Sequence, residues 1–320
     1  TAPPVASASP SASALLPLAV GPAMRATGGL FTLAIATLIA AGRLDERLLD
    51  AALMRLSGAR LVRWIDHGDA ADIEANAYPG DLRTAYEGWE GLDIIVHPPG
   101  PREKKLLVAD MDSTMIGQEC IDELADYAGV KDQVADITER AMHGELDFAG
   151  ALRERVLLLE GLEERVIDQC LAERIRINPG ASTLVRTMRA RGAETILVSG
   201  GFTAFVAPIA ERIGFDRFEA NLLGARDGKL TGMTEGRVVD SRVKHDVLTG
   251  ARERLGLSPE ETLAIGDGAN DIPMVEEAGL GIAYRAKPAL AAVADARLDC
   301  NDLSALLWAQ GIPRAEWVEG

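Results

Sequence analysis

Basic residues are in short supply in this chain. Against 49 aspartates and glutamates stand 33 lysines and arginines, a formal net charge of −16 over 320 residues. Binding nucleic acid through its phosphates, or an anionic membrane surface, requires clustered Lys and Arg, so both partners are disfavoured. A small phosphate ester is not excluded, because a locally positive pocket is enough to hold one. Cysteine is also scarce. Cys120, Cys170 and Cys300 lie far apart and show neither a Cys-x-x-Cys nor a Cys/His metal spacing. That removes a disulfide framework and a zinc site, and an odd, sparse set suits a reducing cytoplasm. All three read as packing residues. Long apolar runs are missing too: Leu30–Ala41, the longest near the start, is too short to span a bilayer. Residues 1–29 are rich in Ala, Ser and Pro, with no basic n-region. They read as a disordered leader rather than a signal peptide.

What is present suits a globular chain of one large or two ordinary domains, with 48% hydrophobic and 26% charged residues. Residues 30–98 read as a small α+β unit. Strands are expected at Phe31–Thr37, Ala59–Ile65, Ala70–Ala77 and Leu92–His97, and helices at Leu44–Leu56 and Pro79–Trp89. The order β-α-β-β-α-β is ferredoxin-like, and Pro98-Pro99-Gly100-Pro101 marks a linker. Beyond it the character changes. Apolar runs at Lys105–Ala109, Thr195–Val198 and Thr262–Ile265 alternate with helical segments at Ala181–Arg191, Phe202–Ile213 and Lys244–Leu255. Such alternation predicts a doubly wound parallel sheet with helices on both faces. Ile121–Leu171 is almost continuously helical in pattern. Ligands of such sheets sit beyond the carboxyl ends of the strands.

Four polar elements follow the predicted strands or open a helix. Asp110-Met111-Asp112-Ser113-Thr114 offers two carboxylates that can enter one cleft, one to attack and one to handle protons. A bare pair of this kind also occurs in turns and helix caps. Ser199-Gly200-Gly201 offers a hydroxyl and free amides for an anion, or an ordinary helix cap. Lys244 can neutralise charge, or simply sit in solvent. Gly266-Asp267-Gly268-Ala269-Asn270-Asp271 is dense in acid and glycine, with hard oxygen ligands for Mg²⁺ at Asp267 and Asp271. It lacks the pattern of a calcium loop.

In this order the four elements resemble the motifs of the haloacid dehalogenase superfamily of phosphatases. DMDSTMIGQECIDELAD, LDFAGALRERVLLLEGL, LVSGGF, DGKLTG and GDGANDIPM are similar to the phosphoserine phosphatase branch, over about Lys104 to Leu307. Met111 stands where many members carry an aromatic residue. The resemblance implies a Rossmann-like domain at 103–320 with a helical cap at about 118–177, hinged near 115–119 and 176–180. It implies Mg²⁺-dependent hydrolysis of O-phospho-L-serine, the last step of serine biosynthesis. Asp110 is then the nucleophile and Asp112 the general acid and base. Ser113, Ser199, Gly200, Lys244 and Asn270 hold phosphate. Asp110, the backbone carbonyl of Asp112 and Asp267 ligate the metal, with Asp271 behind them. In the cap, Glu119 takes the substrate ammonium and Arg155 its carboxylate, with Met142 and Phe148 as an apolar wall; His143 reads as a surface residue. A phosphatase for another small phosphomonoester, or a phosphotransferase acting on an alcohol such as homoserine, shares the same chemistry. Sugar phosphates do not need the Glu119–Arg155 pair. Two roles stand open for residues 30–98, which resemble the ACT type in element order alone: binding a regulatory amino acid, or plain structural and homodimer contact.

Overall fold

The computed structural model describes residues 33–319, except 78, 87, 143 and 144, and leaves the side chains of Leu33, Pro79 and Met142 undescribed. The expected leader at 1–29, the first two residues of the strand expected from Phe31, and His143 therefore lie outside the described residues.

In chain order the first elements are β1 (Leu33–Leu44), α1 (Glu46–Leu53), β2 (Arg60–Asp66), β3 (Gly68–Asn76), α2 (Pro79–Tyr86) and β4 (Asp93–Val96). They form an antiparallel sheet in the order β2-β3-β1-β4, the ferredoxin-like arrangement. Strand β1 runs seven residues past the expected end at Thr37, because β-branched and apolar residues continue through Ile39. Gly42 (φ 70°) lies within β1, in the irregularity between its Ile39 and Leu44 pairings with β3, and after the strand the Asp45 carboxylate caps α1 by accepting from Leu48 N at 2.8 Å. Both faces of β1 are used. Ala34, Ala36, Leu38 and Ala40 pack on Leu49, Ala52, Leu82 and Tyr86 from the two helices. Ile39, on the other face, joins Ala70 and Ile95 in the core of the larger unit.

That larger unit contains β5 (Leu106–Ala109), α3 (Cys120–Ala128), α4 (Lys131–Met142), α5 (Phe148–Leu157), α6 (Arg165–Glu173), α7 (Ala181–Ala190), β6 (Glu194–Phe202), α8 (Thr203–Ile213), β7 (Arg217–Arg226) and β8 (Lys229–Glu235). It continues with α9 (Ser241–Leu255), β9 (Thr262–Gly266), α10 (Ile272–Glu277), β10 (Leu280–Tyr284), α11 (Pro288–Ala291), β11 (Ala296–Leu298) and α12 (Ala305–Ala309). The strands order as β11-β10-β9-β5-β6-β7-β8, parallel except for β8. Every residue of β5, β9 and β10 is buried, as expected of strands covered on both faces. Leu107 and Ala109 face a core shared with Leu184, Phe205 and Leu306. Leu106 and Val108 face the opposite core, with Val243, Leu248 and Met274.

Helices α3 to α6 form an insertion after β5. Its two connections run antiparallel as a bridge between Ile116 and Ile177. Gly117 N donates to Arg176 O at 3.1 Å, and Asn178 N to Met115 O at 2.9 Å. These are the segments expected to act as hinges. On its far side the insertion joins the β7–β8 hairpin, whose tip, Asp227 (φ 52°) and Gly228 (φ 74°), has the two positive φ values of a tight hairpin turn. Gly161 N donates to Leu230 O, Leu230 N to Leu162 O and Glu164 N to Gly228 O, at 2.8–2.9 Å.

The two sheets meet edge to edge. The buried Asp93 carboxylate, on β4, accepts from the amides of Asp299 (2.9 Å), Cys300 (3.1 Å) and Asn301 (2.8 Å), just after β11. Asn301 in turn donates to Ile39 O and accepts from Ala41 N. Arg102 adds a second clasp, reaching Asp72 at 2.6 Å and the carbonyl of Ala309 at 2.8 Å.

Candidate active site

Strands β5, β6 and β9 end side by side, and the polar motifs converge there. Asp110 follows β5 directly, its amide held by Ile265 O of β9 at 2.9 Å. Lys244 comes up from the first turn of α9, which Asp240 caps by accepting from Val243 N at 3.0 Å. Its ammonium, 1% exposed, lies 2.5 Å from Asp110 Oδ1 and 2.7 Å from Asp271 Oδ1. The second oxygen of Asp271 accepts from the amides of Asp267 (3.2 Å) and Gly268 (3.1 Å). This fold-back requires a glycine at 266, where a Cβ would stand 2.4 Å from Asp271 Cγ.

Asp110, Asp267 and Asp271 each offer a carboxylate oxygen within 4.8 Å of the others, the one such acidic cluster among the described residues. All three are buried, and oxygen-only donors suit a hard divalent cation such as Mg²⁺. Asp271 is fully engaged by Lys244 and two amides, so it fits behind the ion better than against it. Asp110 and Asp267 each keep an oxygen that is not committed to Lys244 or Lys287. The residues fit the ion.

Electrostatics follow from burial. Burial pushes the Asp110 carboxyl well above its usual range, with the charge of Asp271 adding and Lys244 opposing. Burial alone would lower the Lys244 ammonium; the charges of Asp110 and Asp271 outweigh it and hold the group protonated. Asp112 rises to about 7, through burial first and the charge of Glu119 second, against the Cys120 amide that donates to it. A carboxyl near neutrality is suited to giving and taking protons.

Strand β6 continues through Phe202, so Ser199, Gly200 and Gly201 lie in its last extended turn, where its pairing with β7 shifts register. The helix start expected at Phe202 comes one residue later, at Thr203. Ser199 Oγ accepts from Gly201 N at 2.9 Å. A Cβ on Gly201 would lie 3.2 Å from Asp112 Oδ2, and one on Gly200 2.9 Å from Phe148 Cζ. The Asp112 carboxylate and the Phe148 ring of α5 therefore both overlie this turn. Asn221 steadies it from below, donating to Gly200 O and accepting from Val239 N, each at 2.7 Å.

Ser113, with φ 56°, turns its hydroxyl to Glu119 Oε1 at 2.8 Å. Asn270 folds its amide oxygen over Gly268. Arg155 is half-buried on α5, and the charges acting on it are those of Asp122, Glu119 and Asp112. Met142 ends α4; its side chain is outside the described residues. Sequence reasoning missed two participants, Asn221 and Lys287. The Lys287 ammonium lies 3.2 Å from Asp267 Oδ2 and 3.9 Å from Glu119 Oε1. Recognising Leu280–Tyr284 as a strand would have put Lys287 beyond its carboxyl end, among the other site residues.

Residues 104–279 match the family model described as haloacid dehalogenase-like hydrolase. The chain belongs to that family. As a haloacid dehalogenase-like hydrolase it is 45% identical over 218 residues to the phosphoserine phosphatase of Archaeoglobus fulgidus, which covers 68% of this chain and 63% of the relative. The chain thus spans under two thirds of that relative's length. Among solved structures, a haloacid dehalogenase family hydrolase of Salmonella enterica serovar Typhi superposes with a TM-score of 0.77 at 28% identity, covering 86% of this hydrolase and 98% of that chain. A substrate-bound phosphoserine phosphatase superposes with a TM-score of 0.60 at 41% identity, covering 64% of this hydrolase and 97% of that chain. No helix among the described residues is long and apolar enough to cross a membrane.

Proposed function

We propose that this hydrolase converts O-phospho-L-serine to L-serine and phosphate through a phosphoaspartate on Asp110. The observation that carries the reading is the buried Asp110–Lys244–Asp271 cluster with Asp112 beside it, and Glu119 and Arg155 near enough for their charges and that of Asp112 to act on one another. Relatives named phosphoserine phosphatases support the choice of substrate.

In the first step Asp110 attacks phosphorus while Asp112 gives its proton to the leaving serine oxygen. In the second, Asp112 takes a proton from a water that attacks the phosphoaspartate, which restores Asp110 and releases phosphate. Lys244 keeps Asp110 in place and offsets charge on the transferring group. Amides of the Ser199–Gly201 turn receive phosphoryl oxygens. Glu119, steadied by Ser113, pairs with the substrate ammonium and Arg155 with its carboxylate. We assign Mg²⁺ to Asp110, Asp267 and the Asp112 carbonyl, with Asp271 behind; when bound it offsets the repulsion between nucleophile and phosphate dianion. We also assign the reaction to the cytoplasm, a reading supported by three free cysteines.

The test is phosphate release with Mg²⁺ from phosphoserine, phosphothreonine, phosphoglycolate and sugar phosphates. Phosphoserine should lead, Asp110→Asn should be inert, and Arg155→Ala should raise KM for phosphoserine. Wild-type turnover in Asp110→Asn would end the mechanism. Equal use of sugar phosphates would end the substrate assignment.

A further inference from the structure

Lys287 takes no part in the transfer steps, yet its ammonium reaches the site, and the local backbone delivers it there. Arg285, two residues earlier, adopts a left-handed backbone at φ 45°, a conformation that residues with long side chains seldom take. After that turn the Lys287 amide donates to the carbonyl of Asp267 at 2.8 Å. Pro288 opens α11 immediately afterwards and fixes the exit. From this anchored backbone the side chain returns to the same residue, Nζ standing 3.2 Å from Asp267 Oδ2 and 3.9 Å from Glu119 Oε1. The two lysines of the site differ in kind. Lys244 is 1% exposed and committed to two carboxylates. Lys287 is 59% exposed, while the Asp267 side chain it touches is 8% exposed. It approaches from the solvent side and can withdraw to water without opening a cavity.

We propose that Lys287 is a displaceable counter-cation for Asp267: it occupies that carboxylate until a divalent cation takes it, so the metal binds in competition with a built-in ammonium. The inference rests on Asp267 being a metal ligand. Lys287 holds Oδ2 and leaves the other oxygen of Asp267 open, so an arriving ion first shares the carboxylate with the ammonium and repels it toward solvent, and afterwards that positive charge still faces the ion. Both effects weaken metal binding. At a half-exposed position they amount together to about three- to tenfold in affinity. What the site gains is an Asp267 that is never left buried, charged and unpaired beside Asp110 and Asp271.

The test is titration calorimetry of Mg²⁺ into the full chain without substrate, for wild type, Lys287→Met and Lys287→Arg. The methionine variant should bind about three- to tenfold more tightly, and the arginine variant should stay near wild type. The difference should shrink as ionic strength rises, since this contact is open to solvent. Equal or weaker binding by Lys287→Met overturns the proposal, as does an arginine variant that binds as tightly as the methionine one. Because no substrate is present, inactivity toward phosphoserine would leave the result standing. A wild-type chain that binds no divalent cation would bring down both this inference and the metal site on which it rests.

Discussion

Replacing Lys244 by methionine removes a charge at nearly constant volume, so packing is kept and electrostatics alone are perturbed. Wild-type Lys244 holds Asp110 at 2.5 Å and Asp271 at 2.7 Å. In the variant, three buried carboxylates with oxygens within 4.8 Å face one another with no buried cation between them. Removing one partner of a buried ion pair costs about 3–5 kcal/mol. That corresponds to a fall in melting midpoint of roughly 6–20 °C, at about 2–4 °C per kcal/mol for domains of this size. The pH dependence has a definite sign. Without Lys244 the carboxyls bind protons more tightly in the folded chain than in the unfolded one, so proton uptake stabilises the fold. The deficit is therefore greatest near pH 8 and shrinks toward about pH 5. Thermal melts of wild type and variant across that range, in a chelator, measure it. Turnover should fall by about 100-fold or more, because the cation that offsets charge on the transferring group in the proposed mechanism is gone. Midpoints that agree within experimental error near pH 8, or a deficit that grows as pH falls, would refute the account of the cluster.

Two further outcomes are expected. Gly266→Ala places a Cβ 2.4 Å from Asp271 Cγ, and Asp271 cannot retreat without losing Lys244 and two amides. A loss of about 1–3 kcal/mol follows from the overpacking, measurable as a urea midpoint shift, together with weaker Mg²⁺ binding. His97 is pushed down to about 3 by burial and by the charge of Arg102, against Asp72. Below about pH 6.5 the unfolded chain takes up a proton that the folded His97 refuses, so stability drops by up to about 1.4 kcal/mol per pH unit until the folded value is reached. Urea unfolding at pH 7 and pH 5 should show a smaller drop in His97→Gln; parallel drops would mean that His97 is protonated in place.

The architecture was legible where a run was long and uniform. Lys105–Ala109 and Thr262–Ile265 read as buried strands because apolar residues run on without interruption behind their first residue, and the strands form at Leu106–Ala109 and Thr262–Gly266. Strands β10 and β11 escaped. Leu280–Tyr284 carries a glycine, and Ala296–Leu298 is three residues long, so neither stands out locally; pairing with β9 makes them strands. Helical periodicity over Ile121–Leu171 did not reveal that it breaks at Gly129, a left-handed cap, restarts as α4 at Lys131, and after α4 starts again behind Asp147, the N-cap of α5. Asp110, Lys244, Asp267 and Asp271 were readable as a set because each sits at a strand end or a helix start. The partners of Ser113 were not. The resemblance assigns its hydroxyl to phosphate, whereas in the structure Ser113, at φ 56°, donates to Glu119 Oε1 at 2.8 Å.

The three backbone hydrogen bonds joining the cap to the β7–β8 hairpin restrict how the site can be uncovered. Helix α5 spans the distance, with Phe148 above Gly200 at one end and Leu157 against Gly232 at the other. Ten residues make a rod of about 15 Å. A cap free except at its two hinge strands could swing away whole; one fastened at the hairpin as well can only pivot about that second attachment. Substrate entry then becomes a tilt of α5 that lifts its Phe148 end while Leu157 stays in place. On the proposed mechanism, loosening the Asp227–Gly228 turn would therefore alter the rate at which product leaves, although that turn lies at the opposite end of the lever from Asp110.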